Sequence, residues 1–182
     1  MDTVTRTNLD NIFAQDRNLQ NAAYYAVIDA TDQPVDWAYE VWDELLRLMK
    51  TGDNHQRTIA VQVLSNLAKS DPEQKMIADL DKLMLVTKDE KFVTARHSLQ
   101  CLWKIGIVND VFSTKLLTAL TKRFKECALE KNCTLIRYDI IVVIRKVFDI
   151  MKDKKLQERA IALIHTETDE NIAKNTWVYG KI

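Results

Sequence analysis

Residues 89–106 read DEKFVTARHSLQCLWKIG, and their pattern is the key to the rest of the chain. An acidic pair opens the stretch, a basic residue, Arg96, follows, and a glycine ends it. Apolar side chains lie three, six and seven residues after the arginine, at Leu99, Leu102 and Trp103. These offsets put them on one face of an α-helix, as a stripe about 100° wide. The stretch is therefore predicted to be an amphipathic helix with one buried face.

The same line of residues recurs along the chain. It starts at a basic residue, and successive starts are separated by 40, 39, 41 and 37 residues. The first and last copies keep the apolar offsets less fully. In the first copy Gln20 stands at one of the apolar offsets, and in the last copy Trp177 is the one apolar residue at these offsets. A helical line repeated every ~40 residues is typical of a solenoid of helix pairs. The fold is therefore predicted to be all-α. The five starting residues are Arg17, Arg57, Arg96, Arg137 and Lys174.

Acidic residues precede several of these starts, as Asp53 precedes Arg57 and Asp89 precedes Arg96. This arrangement resembles the second helix of a HEAT repeat. The resemblance implies a right-handed, armadillo-like α-solenoid (an α-α superhelix) of about five helix pairs, forming a single domain over residues 1–182. The predicted repeats cover about 1–33, 34–69, 70–107, 108–152 and 153–182. Within them, Asp36 is the predicted N-cap of the second repeat, and Ser70 or Asp71 that of the third. The helix of Arg96 is predicted to run unbroken to Gly106.

Composition limits the classes of function. Three glycines and two prolines in 182 residues suit an almost wholly helical protein. The 26 basic and 26 acidic residues cancel, which argues against a dedicated nucleic-acid binder. The charge is unevenly placed, because residues 1–50 have a net charge of −5 and residues 111–182 a net charge of +5. We therefore expect a monomer, or weak self-association between unlike ends.

The cysteines and the apolar runs predict a location. Cys101, Cys127 and Cys133 are odd in number and lack CxxC spacing, so they fit reduced thiols of a cytoplasmic protein. The start of the chain has no signal-peptide pattern, and no apolar run approaches 18 residues. The prediction is a soluble, cytoplasmic protein without a membrane partner.

No motif for catalysis is visible. The sequence has no nucleophile motif and no glycine-rich phosphate loop, and His55, His97 and His165 lack metal-ligand spacing. We therefore predict no catalytic residue, no cofactor and no metal, and a protein that is not an enzyme.

The second helices of such repeats stack into one surface, and the side opposite the buried stripe falls one, five and eight residues after each basic start. This surface would suit a protein or peptide ligand, or it is a solvated face. The basic starts themselves have two readings: in the repeats that the pattern resembles, such residues commonly form an ion-pair ladder with the neighbouring repeat, and the alternative is ligand contact. The candidate surface comprises Tyr25, Thr58, Gln62, Ser65, His97, Cys101, Lys104, Tyr138, Val142 and Arg145.

These observations favour a non-enzymatic scaffold or adaptor that binds a protein or peptide. The alternative is a nucleic-acid-binding HEAT-like protein, because some alkylpurine DNA glycosylases consist of HEAT-like repeats. The tryptophans are expected in the core rather than on a DNA-binding face, and the acidic first third would repel phosphates. The basic residues that would carry nucleic-acid binding are Lys122, Arg123, Lys125, Arg137, Arg145 and Lys146.

Overall fold

The computed structural model describes residues 1–166, and within that range the chain is helical and contains no strand. The predicted all-α class is therefore confirmed. Lys174 and Trp177, which belong to the last predicted repeat, lie outside the described residues. The chain divides into two compact units, Met1–Ser98 and the part that begins at Leu99.

In the first unit, helices pack in two ways. α1 packs against α2 and α3 against α4, so neighbours in sequence form pairs. In addition α2 packs against α4, and α3 packs against α5, so alternate helices also touch. The helices are α1 (Thr3–Asn11), α2 (Arg17–Ala30), α3 (Ala38–Thr51), α4 (Asn54–Leu67), α5 (Lys75–Val86) and α6 (Phe92–Gln100), the last ending two residues into the second unit.

The core of the first unit follows from the apolar stripes. Trp42 is 0% exposed, and its indole N–H donates to Asp79 Oδ2 on α5 at 2.9 Å. Burial of such a large side chain is favourable, and the bond to Asp79 avoids the cost of leaving its one polar group unpaired. The second helices begin with acidic caps: Asp16 accepts from two N–H groups of α2, and Asp53 forms a capping box with Gln56 on α4.

The second unit is organised around one long helix. It contains α7 (Trp103–Gly106), α8 (Asp110–Glu126), a 3-10 turn (Cys127–Leu129), α9 (Cys133–Met151) and α10 (Lys154–Ile164). α9 packs against α7, α8 and α10. It is apolar on more than one side, and Ile141 and Phe148, which lie outside its repeat stripe, are buried. A helix covered by three neighbours needs this composition.

The N-cap positions predicted for the second and third repeats differ from those in the structure. Asp36 does not cap α3, because Trp37 occupies the N-cap position without a side-chain bond. Ser70 does not cap α5 but accepts a hydrogen bond from the Val35 N–H at 2.9 Å. Asp71 does accept from the Lys75 and Met76 N–H groups, yet the N-cap position is held by Gln74, whose φ is 57°. The loop thus places the Asp71 carboxylate at the N-terminal end of α5, although Asp71 precedes the N-cap residue in the chain.

The helix of Arg96 is also shorter than predicted. It ends at Gln100, and α7 begins only at Trp103. Between them the N–H groups of Leu102, Lys104 and Ile105 bond three residues back instead of four. This tighter winding is the ordinary form of a 3-10 turn. The break therefore interrupts the pattern from which the helix was predicted, while Leu99, Leu102 and Ile105 all remain buried.

Candidate interaction surface on the second helices

Two of the recurrent arginines pair with aspartates of the following helix pair. Arg17 Nη2 lies 3.0 Å from Asp53 Oδ2. Arg57 contacts Asp89 through two nitrogens, at 2.6 Å from Nε and 3.0 Å from Nη2. The two pairs are separated by about one repeat, and each bridges residues 36 or 32 positions apart in the chain. They connect the start of each second helix with the loop before the next one.

The second of these pairs is the more sheltered. The side chains of Arg57 and Asp89 are 22% and 6% exposed, against 48% and 43% for Arg17 and Asp53. The hydrogen bond to Asp89 raises the pKa of Arg57, against the opposing effect of burial. Burial favours the neutral form of Asp89, but the hydrogen bonds from Arg57 and the Lys91 N–H outweigh it and lower the pKa of that carboxyl. Both groups of the pair are therefore held in their charged forms.

Two further basic starts, Arg96 and Arg137, lie against aromatic rings. The Arg96 guanidinium lies 5.8 Å from the ring centroid of Phe92, one turn earlier on α6. Arg137 lies 4.7 Å from the ring centroid of Phe124 and donates to its carbonyl oxygen at 3.3 Å. Lys174 is outside the described residues. The structure thus shows aspartate pairs at Arg17 and Arg57, and cation–aromatic contacts at Arg96 and Arg137.

A chain of hydrogen bonds crosses three second helices of the first unit. The Tyr24 hydroxyl on α2 donates to Gln62 Oε1 on α4. The amide of Gln62 donates to Thr58 Oγ1 at 3.3 Å, and Thr58 Oγ1 lies 3.4 Å from Ser98 Oγ on α6. A fifth side chain, Asn66, links the other end of α4 to α2, donating to the Ile28 carbonyl and to Thr31 Oγ1. Thr58 and Gln62, two of the predicted surface residues, are therefore parts of an ordered network.

The ten predicted surface residues differ in exposure. Tyr25 is 65% exposed, and its ring packs edge-on against Tyr24 with centroids 5.1 Å apart. His97 is also exposed, whereas Thr58 and Gln62 are half-buried in the network. In the second unit the remaining five are all half-buried: Cys101, Lys104, Tyr138, Val142 and Arg145.

Ser65 is a correction, because it is 0% exposed and was predicted on the solvent side of α4. The reason is that α4 packs against α2, α3 and α5, so its buried part is wider than one stripe. Val61 and Asn66, also outside the predicted stripe, are likewise buried. Tyr24, Ser98 and Asn66 also join helices of the first unit, but they are not among the predicted surface residues. Their spacing could have identified them, because the bonded partners lie 35 to 40 residues apart, about the predicted repeat length.

The second unit repeats one element of this arrangement. Gln100 Nε2 donates to Asp139 Oδ1 on α9 at 3.0 Å, again across 39 residues. On the same helix Arg145 pairs with Asp149 at 2.9 Å, and Lys146 lies 5.5 Å from the ring centroid of Trp103. Charged groups on α9 are thus mostly engaged by neighbouring side chains.

The chain matches no protein-family model, and no curated protein shows significant similarity to it. Among residues 1–166, no cluster of three or more His, Cys, Asp or Glu is placed to hold a metal ion. In the same range, no helix has both the length and the apolar character needed to cross a bilayer.

Proposed function

We propose that the chain is a HEAT-like α-solenoid that acts as a non-enzymatic scaffold or adaptor, binding a protein or peptide on the surface of its second helices. The observation that carries this proposal is the network Tyr24–Gln62–Thr58–Ser98, which ties α2, α4 and α6 side by side. A surface fixed in this way is pre-organised, so a ligand need not order it on binding.

The repeat architecture has its own support in the first unit. Alternate helices touch there, as they do when helix pairs stack. The polar contacts recur at the repeat distance, in the Arg17–Asp53 and Arg57–Asp89 pairs and again between Thr94 and the Asn54 carbonyl, 40 residues apart. Contacts between equivalent positions of successive repeats are what a solenoid requires.

Exposed aromatic and polar groups flank the network and offer the binding contacts. Tyr25 presents a large ring to solvent, and His97 is exposed on α6. Tyrosine is enriched at protein interfaces because it combines contact area with a hydroxyl and little conformational entropy. A partner with an apolar anchor and hydrogen-bonding groups would match these residues.

The experiment is affinity purification of the full chain from its native cells. We expect the wild type to retain a protein partner and the double variant Tyr25→Ala/His97→Ala to lose it. Leu85→Ala is the matched control, because Leu85 is 67% exposed on α5, a first helix. Circular dichroism should show the same helix content for all three proteins. Equal recovery of the partner by the wild type and the double variant would contradict the proposed surface.

Nucleic-acid binding receives less support. Of the basic residues that would serve it, Arg123 is 1% exposed and forms two bonds to Glu130. Lys122 lies 3.8 Å from Glu126, and Arg145 pairs with Asp149. Titration with duplex DNA at two salt concentrations tests this alternative, because phosphate contacts must weaken steeply as salt rises.

A further inference from the structure

Two cysteines of the second unit lie in direct contact. Cys127 Sγ is 3.1 Å from Cys133 Sγ, and both residues are free thiols. Cys127 begins the 3-10 turn that follows α8, and Cys133 is the first residue of α9. Only the five-residue connection 128–132 separates them, so the contact is local in sequence.

The two thiols differ in access. Cys127 is buried and donates to the Phe124 carbonyl oxygen at 3.2 Å, while Cys133 is half-buried. Burial, together with the neighbouring Cys133, raises the pKa of Cys127 to about 12. Cys127 is therefore a protonated thiol near neutral pH, and Cys133 is the sulfur that a reagent from solution meets first.

The surrounding contacts hold this turn in place. Arg123, at the end of α8, binds both carboxylate oxygens of Glu130 within the connection. Arg137, one turn into α9, lies over the Phe124 ring and donates a hydrogen bond to the Phe124 carbonyl oxygen. The turn is thus clamped on both sides of the thiol pair. A small movement of the sulfurs, without unfolding, would bring them to bonding distance.

We propose that Cys127 and Cys133 are a modification site, a dithiol that is reversibly oxidised to an intramolecular disulfide. The oxidant is a small-molecule disulfide such as oxidised glutathione. The Cys133 thiolate attacks one sulfur of the oxidant, whose S–S bond breaks and releases one glutathione thiol. Cys127 then loses its proton and attacks Cys133 Sγ, which forms the protein disulfide and releases the second glutathione thiol. Two electrons pass from the cysteines to glutathione, and their two protons end on the released thiols.

The cleavage pattern of trypsin makes the test direct. Lys125, Lys131 and Arg137 bound two peptides, 126–131 and 132–137, each with one cysteine. In the folded full chain incubated with oxidised glutathione, we expect these two peptides to be joined until a reductant is added. The intact protein should lose the mass of two hydrogen atoms, and its thermal midpoint should rise because the disulfide restrains the unfolded chain.

Variants assign the roles. Cys101→Ser should form the joined peptides as the wild type does. Cys127→Ser should stop at the mixed disulfide, with glutathione retained on Cys133. In the reduced protein, alkylation should modify Cys133 faster than Cys127. The proposal is overturned when the oxidised wild type carries Cys127 and Cys133 only as free thiols, as separate glutathione adducts, in disulfides between chains, or bonded to Cys101.

Discussion

Arg17 and Arg57, 40 residues apart in the chain, each pair with an aspartate, but the two ion pairs differ in their surroundings. Arg57 reaches Asp89 with two nitrogens and also donates to the Gly52 carbonyl at 2.8 Å. The Asp89 side chain is only 6% exposed, so the arginine supplies hydrogen bonds that water cannot easily replace. The Arg17–Asp53 pair is about half exposed and competes with solvent. Two arginines at corresponding places in the sequence pattern therefore need not contribute equally to stability.

Replacement of Arg57 by methionine should reveal this difference. The change keeps much of the apolar stem but leaves the buried Asp89 carboxylate without its cation, at a cost of about 2 kcal/mol. Arg17→Met, the matched control, should cost less than about 1 kcal/mol because its pair is screened by solvent. Urea unfolding of both variants measures the two costs. Equal losses would show that burial does not distinguish the pairs.

The aspartates of these pairs also predict a pH dependence. The pKa of Asp89 and that of Asp53 are lowered in the folded chain, in each case because hydrogen bonds to the carboxylate outweigh burial. Their contribution to stability is therefore complete above the unfolded pKa of about 3.9, and it is lost as pH falls through the lower folded values. We expect the free energy of unfolding to decline below about pH 4.

Asp89→Asn should make that decline shallower, because one carboxylate no longer takes up a proton on unfolding. Urea titrations of the wild type and the variant at several pH values between about 2 and 6 test this expectation. A variant with the same acid slope as the wild type would show that Asp89 does not contribute.

At the scale of elements, the break between α6 and α7 is followed by a close helix contact. A Cβ at Gly106 would lie 2.7 Å from Val147 Cγ2 on α9 and 2.9 Å from Leu116 Cδ2 on α8. Glycine is therefore required at this position by proximity, although alanine is the better helix former. The short α7 is held to both neighbours through this point.

Gly106→Ala should destabilise the protein. The overpacking costs about 1–3 kcal/mol, which outweighs or at least offsets the gain of about 1 kcal/mol in helix propensity. The double variant Gly106→Ala/Val147→Ala, compared with Val147→Ala alone, should show a smaller loss, because the two Val147 methyl groups near the new Cβ are gone. Denaturant unfolding gives both differences. A stabilised single variant would contradict the close contact.

Replacement of Leu102 tests whether the break between α6 and α7 is part of the core. Its side chain is 0% exposed between α6 and α7, so Leu102→Ala should cost roughly 2–5 kcal/mol. Leu129→Ala provides a matched control, since Leu129 is 100% exposed in the 3-10 turn, and it should change stability by no more than about 0.5 kcal/mol. Similar unfolding midpoints for the two variants would mean that the broken turn does not pack as described.

At the scale of the whole molecule, the charge is divided between the two units. Residues 1–98 contain 11 basic and 16 acidic residues, and residues 99–182 contain 15 basic and 10 acidic residues, so the net charges are −5 and +5. The chain as a whole is neutral, which removes the net repulsion between copies. Attraction between unlike regions of two copies is therefore not opposed by net charge.

We expect weak self-association that fades as salt rises, because the Debye length shortens from about 10 Å at 0.1 M to about 3 Å at 1 M. Sedimentation velocity at low and high salt measures it, with protein concentration held constant. A compact dimer that persists unchanged at high salt would refute an electrostatic origin and indicate an apolar interface instead.

The apolar pattern by itself determined which side chains of several helices are buried. The stripes after Arg57 and Arg137 predict buried residues that the structure confirms, such as Val63, Leu64 and Ile140. Such predictions succeed because helix periodicity is a local property: the face on which a side chain lies follows from a few neighbouring residues. The all-α class followed from the same local information, repeated along the chain.

Tertiary packing decided what the stripes could not show. Ser65 and Asn66 are buried because α4 is covered on more than one side, and the Asn66 amide finds its partners at the end of α2, on Ile28 and Thr31. The Tyr24–Gln62 hydrogen bond and the Arg57–Asp89 ion pair likewise join residues more than 30 positions apart. Whether a polar side chain faces water or a partner depends on these distant contacts, so only the assembled helices distinguish an ordered network from a solvated face.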